Sequence, residues 1–300
     1  MSSESRARMR LTRGDPLVKT IRALKRSADE RIRLAMMIVE GVRLAEEALA
    51  ERVDISAAVI GPRLESDPRG RLLAAGLRRA GIEVRQADEA LLRSLHDTES
   101  HQGILLLAPR PSFDLIEFTA PARRASLLLV ACGVQDPGNM GALVRLADAA
   151  GADGLLAMGG ADPFGPKAVR ASAGSIFRLA VARTPSIEAT ALGVLRSAGI
   201  RIAGAVVRGG RDYRRSDLST PVALVLGGEG AGLPPEILEE IDLAVTIPIN
   251  PRVESINVAA AAALLLFEAT RGVNPGEARQ PDSARPGRRS RAPRRGPSGR

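Results

Sequence analysis

The stretch VALVLGGEGAGLPPEILEEIDLAVTIPINPRVESINVAAAAA, from Val222 to Ala263, decides the fold. It reads as strand, glycine-rich loop, helix, strand, second loop, helix. Val222 to Leu226 is a short apolar run suited to a fully buried parallel strand. It enters the loop Gly227 to Gly232, and Pro234 and Pro235 suit the first turn of a helix. A second apolar run covers Leu243 to Ile249, and the small residues after Ser255 open a long apolar helix. Two loops at the ends of neighbouring parallel strands form a ligand crevice. Three familiar glycine motifs do not fit. A dinucleotide fingerprint from Gly228 and Gly230 would need glycine at Leu233, no lysine follows Gly232 as a phosphate loop requires, and a nucleophile elbow would need serine at Glu229.

Composition narrows the chemistry. The 300 residues are 45% hydrophobic, enough for one large or two smaller cores. No apolar run approaches the ~20 residues of a membrane span, and Met1 to Arg6 carries no hydrophobic signal region, so a cytoplasmic protein is expected. The single cysteine, Cys132, excludes an internal disulfide and reads as a small buried hydrophobe. With only His96 and His101 beside it, the chain has no soft-metal cluster and no obvious Cys/His dyad, and no metal is expected. Residues 1–31 carry a net charge of +5 and residues 272–300 a net charge of +6, leaving −2 on the body of a chain whose total is +9. Basic ends on a near-neutral body read as arms for a polyanion. With 2% aromatics and no Trp, base stacking cannot dominate such binding.

Along the chain, a basic extension over 1–30 holds one helix near Pro16 to Ser27. Alternating elements follow over 31–108: strand Leu34 to Val39, helix Glu40 to Leu49, strand Ala57 to Ile60, helix Leu72 to Ala80, strand Ile82 to Val84, a helix capped by Asp88, and strand Gly103 to Leu107. Residues 109–124 read as a linker. A second α/β domain spans 125–271, with strands at Ser126–Ala131, Gly154–Met158 and Ile202–Val207, an extended stretch Phe177–Val181 and a helix capped by Ser186. Its alternation implies a mostly parallel sheet with helices on both faces. The Pro, Gly, Arg and Ser of 272–300 read as a disordered tail.

The turn Asp136-Pro-Gly-Asn-Met-Gly-Ala-Leu-Val-Arg145 is the second informative site. Asn139 can serve as the cap of the helix, and Gly141 permits a close approach to its first turn. Arg145 stands among the apolar Leu143, Val144 and Leu146, which by itself fits a partly buried arginine paired with Asp148 or Glu229. Asn139-x-Gly141-x-x-x-Arg145, then Gly227-x-Glu229-x-x-Gly232, then Ile247-Pro-Ile249 with Ser255-Ile-Asn-Val258, closely resemble the three signature motifs of the SpoU (TrmH-type) RNA ribose methyltransferases of the SPOUT superfamily. The segment Lys167 to Arg178 is similar to that family's connecting segment. Val39 to Arg43 and His101 to Ile104 resemble its small ribosomal-protein-like RNA-binding domain. The third motif departs in carrying Pro251 where glycine is usual and Ile256 in place of leucine.

The resemblance implies an α/β fold whose C-terminal segment forms a trefoil knot, and a homodimer with its site completed near the subunit interface. It implies S-adenosylmethionine held by Leu226, Gly227, Gly232, Ile247 and Ile256, and transfer of its methyl group to a ribose 2′-hydroxyl. Arg145 would be the central catalytic residue, engaging the hydroxyl and a neighbouring phosphate. Asn139, Glu229, Ser255 and Asn257 would position it and the nucleotide. The extra RNA-binding domain favours ribosomal over transfer RNA. The alternative is a non-catalytic RNA-binding or ribosome-assembly factor that keeps the fold, against which the intact Asn139, Arg145, Glu229 and Asn257 argue.

Overall fold

The computed structural model of the chain describes residues 10–96, 101–119 and 127–272. Two sheets organise it. The first has four strands in the order β1-β4-β2-β3: β1 (Met36–Glu40), β2 (Ala57–Ile60), β3 (Val84–Gln86) and β4 (Ile104–Pro109). Alternate strand residues face opposite sides. Ile38, Val59, Leu105 and Leu107 meet α1 (Pro16–Arg26) and α6 (Glu89–Leu95), while Met37, Val39 and Leu106 meet α3 (Val42–Ala50) and α5 (Pro68–Arg79). A short α4 (Pro62–Ser66) precedes α5.

The basic extension is not a free arm where it is described. In α1, capped by Asp15, Val18, Ile21 and Leu24 are fully buried against the sheet. The expected strand over Leu34 to Val39 is also corrected. Ser27 caps a second helix, α2 (Ala28–Leu34), which Ala35 ends at a positive φ of 51°, and only then does β1 begin. Leu34 belongs to the helix because a side-chain cap seven residues earlier, at Ser27, sets the helical register.

The second sheet has seven strands in the order β7-β6-β5-β10-β8-β11-β9, and each pairing in it is parallel. They are β5 (Leu127–Cys132), β6 (Gly154–Met158), β7 (Ala180–Thr184), β8 (Arg201–Ala205), β9 (Arg211–Asp212), β10 (Val222–Gly227) and β11 (Leu243–Thr246). One face packs on α7 (Pro137–Ala149), α8 (Pro166–Ala171) and α11 (Val258–Ala269). The other packs on α9 (Ala189–Ser197), α10 (Pro235–Leu238), Phe113 and Phe118. The segment read as a linker is thus partly structural: Phe113 bridges to Ala182, and both phenylalanines are buried. Glu188, not Ser186, stands at the cap of α9, and the Ser186 hydroxyl instead bonds to the Glu188 carboxylate. Cys132 is buried as expected, and burial pushes its thiol up to about 11.

The two domains share one hydrophobic cluster, and ionic contacts reinforce the seam. The connecting segment supplies them. Arg170 of α8 bonds to the buried Glu40 at the end of β1, and Arg178 reaches Glu47 at 3.1 Å, Glu51 at 3.7 Å and Asp148 of α7 at 3.1 Å. On the far side Arg31 Nε lies 2.7 Å from Asp162 Oδ2, both nearly buried. Among the described residues no helix is long and apolar enough to cross a membrane. The C-terminal basic tail lies beyond Gly272, outside the described residues.

Candidate active site at the carboxyl edge of the parallel sheet

The strand order reverses direction at β5 and β10, and the loops leaving their carboxyl ends form the crevice expected at such a switch point. These are the loops of the first two motifs. In register, Gly227 stands opposite Cys132. Just beyond, a Cβ built on Gly228 would lie 2.4 Å from the Gly133 carbonyl oxygen, so the two loops touch backbone to backbone.

Asp136 is the cap of α7: its carboxylate accepts from the Asn139 amide at 2.9 Å, with Pro137 in the first turn. This corrects the expected role of Asn139. The Asp-Pro pair was the signal, since aspartate before proline is a strong helix start. Lys167 bonds to the same carboxylate at 2.7 Å, and that bond, with those from the helix amides, holds the Asp136 carboxyl below its usual range.

Relieved of capping, the Asn139 side chain joins the three motifs. Its Nδ2 donates to Glu229 Oε1 at 2.6 Å, and its Oδ1 accepts from Asn257 Nδ2 at 3.1 Å. Asn257 in turn caps α11, its Oδ1 accepting from Ala259 N at 2.8 Å. The second Glu229 oxygen accepts from the Gln135 amide at 3.3 Å, a partner that sequence reasoning did not supply. Burial tends to raise the Glu229 carboxyl, but the bonds from Asn139 and from backbone amides outweigh it and keep it below its usual value.

Arg145 lies nearly two turns further along α7 and is exposed. Both carboxylates that could have neutralised it are engaged elsewhere, Asp148 by Arg178 and Glu229 by Asn139. Among the described residues Arg145 makes no ion pair or hydrogen bond. Its apolar neighbours Leu143 and Val144 face the core on the other side of the helix. Gly141 is where α7 meets α8: a Cβ there would lie 2.3 Å from the Ala168 carbonyl oxygen.

The second and third motifs flank a notch. β8 lies between β10 and β11 and ends at Ala205. Its pairing with β10 stops at Val225, two residues before β10 ends, so on that side the backbone of Gly227 has no strand partner. Unpaired backbone groups of this kind need another partner, water or ligand. Across the notch β11 runs on to Thr246, and Ile247 follows half-buried. A Cβ on Gly227 would sit 2.2 Å from the Gly232 carbonyl carbon, and Gly232 itself has a φ of +68°. The Leu226 side chain points into the core at 2% exposure, so only its backbone can serve a ligand. Ile256 is half-buried, while Ser255 is exposed and makes no hydrogen bond among the described residues. Pro251 fits its loop without glycine. It follows Asn250, whose carbonyl accepts from Val253 N at 2.9 Å, and proline is favoured at that place in such a turn.

The described residues hold no group of three His, Cys, Asp or Glu able to bind a metal ion. A shallow groove of about 770 Å³ runs along α9, past Thr190, Val194 and Glu240, and shares no residue with the motifs.

Residues 126–267 match the SpoU rRNA methylase family, and residues 15–106 match the MRM3-like substrate binding domain. The chain is 33% identical over 243 residues to the 23S rRNA (guanosine(2553)-2′-O)-methyltransferase RlmP of Bacillus subtilis, covering 79% of this chain and 90% of that protein. The chain belongs to the SpoU family. Two SpoU-type structures extend the likeness. An AdoMet-bound rRNA methyltransferase from Sinorhizobium meliloti superposes with a TM-score of 0.75 at 30% identity, over 88% of this chain and 98% of that one. AviRb from Streptomyces viridochromogenes, in complex with AdoMet, gives 0.73 at 29% identity over 86% and 98%. Within the family frame, the match to the substrate binding domain begins at residue 15 and so takes in α1, the helix read from sequence as part of an arm.

Proposed function

We propose that this SpoU-family chain transfers a methyl group from S-adenosylmethionine to a ribose 2′-hydroxyl in ribosomal RNA. The observation that carries the reading is the chain of bonds Asn257–Asn139–Glu229, which ties the three motifs together, with Arg145, exposed and unpaired among the described residues, nearly two turns further along the helix of Asn139. The 23S rRNA specificity of the relatives supports ribosomal RNA as the substrate. The notch fits the methyl donor: Gly227 leaves no side chain in the way, and its backbone is unpaired on that side. Ile247 and Ile256 supply apolar walls.

When bound there, S-adenosylmethionine supplies an electrophilic methyl group. The protein's task is to align the hydroxyl and relieve it of its proton as the bond forms. Glu229 is ionised but has both oxygens engaged, so it orients Asn139 and is not a free base. Arg145 has its planar fork available for a hydroxyl and a phosphate together. Ser255 stands open at the same loop for a nucleotide contact.

The rest of the reading joins expectations from sequence composition with those of the family. The division into a substrate-binding domain ending near residue 108 and a methyltransferase domain over 125–271 belongs to it, as do a cytoplasmic location and the basic tail as an RNA arm. So does the trefoil knot: α11 packs back on α7 and β10 after the chain has run out to β11. A homodimer is supported by α11, whose exposed side carries Leu264 at 41% and Phe267 at 49% exposure, one turn apart on a helix apolar all round. Phe267→Arg should convert a dimer to a monomer by light scattering; a monomeric parent protein would remove the dimer from the reading. The function itself is tested by incubating the protein with S-adenosylmethionine and unmodified ribosomal RNA and mapping ribose methylation. One 2′-O-methylated nucleotide is expected, and none in any ribosomal RNA would refute it.

A further inference from the structure

Away from the methyl-donor notch, Asp162, Arg183 and Arg31 all act electrostatically on Arg110 where the two domains meet. Arg31 of α2 holds Asp162, which follows β6, and Asp162 Oδ1 also accepts from Phe164 N at 3.0 Å. Arg110, just after β4, lays its guanidinium 4.5 Å from the centre of the buried Phe164 ring. Arg183 projects from the carboxyl end of the edge strand β7, beside Ala182, to which Phe113 brings the chain that follows Arg110.

Two features of this cluster bear on what it can bind. Arg110 has two other arginines and one carboxylate within electrostatic reach, and that carboxylate is already engaged by Arg31. Among the described residues the Nε atoms of Arg110 and Arg183 are buried and have no hydrogen-bond partner, as is true also of Arg85 and Arg201. Buried donors left empty are uncommon and are filled by water or an ion. Burial, opposed by Asp162 and reinforced by Arg183 and Arg31, depresses the Arg110 guanidinium below its ordinary value, as expected where positive charge is in excess. Neither Arg110 nor Arg183 is sealed: both remain partly exposed.

We propose that Arg110 and Arg183, braced by the Arg31–Asp162 pair, form a phosphate site at the domain junction that takes a backbone phosphate of the RNA substrate. Guanidinium forks match phosphate oxygens in pairs, and a dianion or a phosphodiester with its neighbour balances the surplus charge. The position suits an RNA lying across both domains. Arg110 leaves the first domain and Arg183 belongs to the second, and the loop carrying Asp162 leans on the active-site loop, with Ala161 N donating to Val134 O at 2.8 Å. Val134 adjoins Gln135, the amide donor to Glu229. The site is therefore one loop away from the proposed chemistry on the same sheet edge. Only the source of the phosphate rests on the function proposed above.

The test uses the full-length protein, with Arg183→Gln and Arg110→Gln as independent variants. Inorganic phosphate, added at constant ionic strength against chloride, should raise the melting temperature of the parent protein and have little effect on either variant. RNA binding should weaken about tenfold in each variant, and the slope of log affinity against log salt should become shallower by roughly one, the loss of about one phosphate contact. S-adenosylmethionine affinity should be unchanged. A phosphate response that persists in both variants overturns the site. A lost phosphate response with an unchanged RNA salt slope overturns RNA as its source. The melting readout needs no methyl transfer, so an absence of methylation with an intact phosphate response counts against the enzymatic reading and leaves the site standing.

Discussion

Arg145→Ala is expected to lower the single-turnover rate of methyl transfer by about 10² or more, a loss of about 2.7 kcal/mol of transition-state stabilisation. Stability should barely change. A structural arginine leaves an orphaned carboxylate when it is removed, and that is costly. Here no such partner would be orphaned, because Arg178 holds Asp148 and Asn139 holds Glu229. S-adenosylmethionine should bind the variant normally, since the second and third motifs build the notch. Arg145→Lys should not restore the rate, because an ammonium cannot bridge hydroxyl and phosphate with a planar fork. Rates measured beside melting curves separate the cases, and normal turnover by a folded Arg145→Ala protein would end the catalytic assignment.

Gly227→Val should weaken S-adenosylmethionine binding at least tenfold, about 1.4 kcal/mol or more. The contact that forbids a side chain there is backbone: the new Cβ would meet the Gly232 carbonyl carbon and oxygen at 2.2 Å and the Leu233 nitrogen at 2.6 Å. A backbone atom cannot swing aside as a flexible side chain can, so the loop from Gly228 to Gly232 must move, and the notch with it. Gly232→Val differs in kind. Its Cβ would meet no atom within 4 Å, and its cost arises from a positive φ, roughly 1–2 kcal/mol of strain for an L-residue. Calorimetric titration of both variants reads the difference, and unchanged affinity in the Gly227 variant would move the pocket elsewhere.

The parts of the protein legible in its sequence are those governed by local pattern. The apolar runs at Leu127 and Val222 are buried parallel strands, and Asn139, Glu229 and Asn257 do converge. What was missed depends on partners distant in sequence. Lys25 and Arg31 counted as charges of a free arm, yet Lys25 lies 3.6 Å from Glu40, and Arg31 holds a carboxylate 131 residues away. Charge counting cannot see such pairs. The role of Asn139 was misread because two residues competed for one cap, and Asp136, followed by proline, took it. That displacement freed the Asn139 amide to connect the motifs, a consequence invisible until the helix start was fixed.

The ionic seam also bears on how this protein could be re-targeted. Because Glu40, Glu47 and Glu51 of the first domain are held by Arg170 and Arg178 of the second, the segment between β6 and β7 belongs functionally to both. A chimera joined only at residues 109–124 would carry a foreign first domain onto two unmatched arginines, one of which also steadies Asp148 on the helix of Arg145. Exchange of target RNA between relatives would then require the recognition domain and residues 166–178 to be transplanted as one unit.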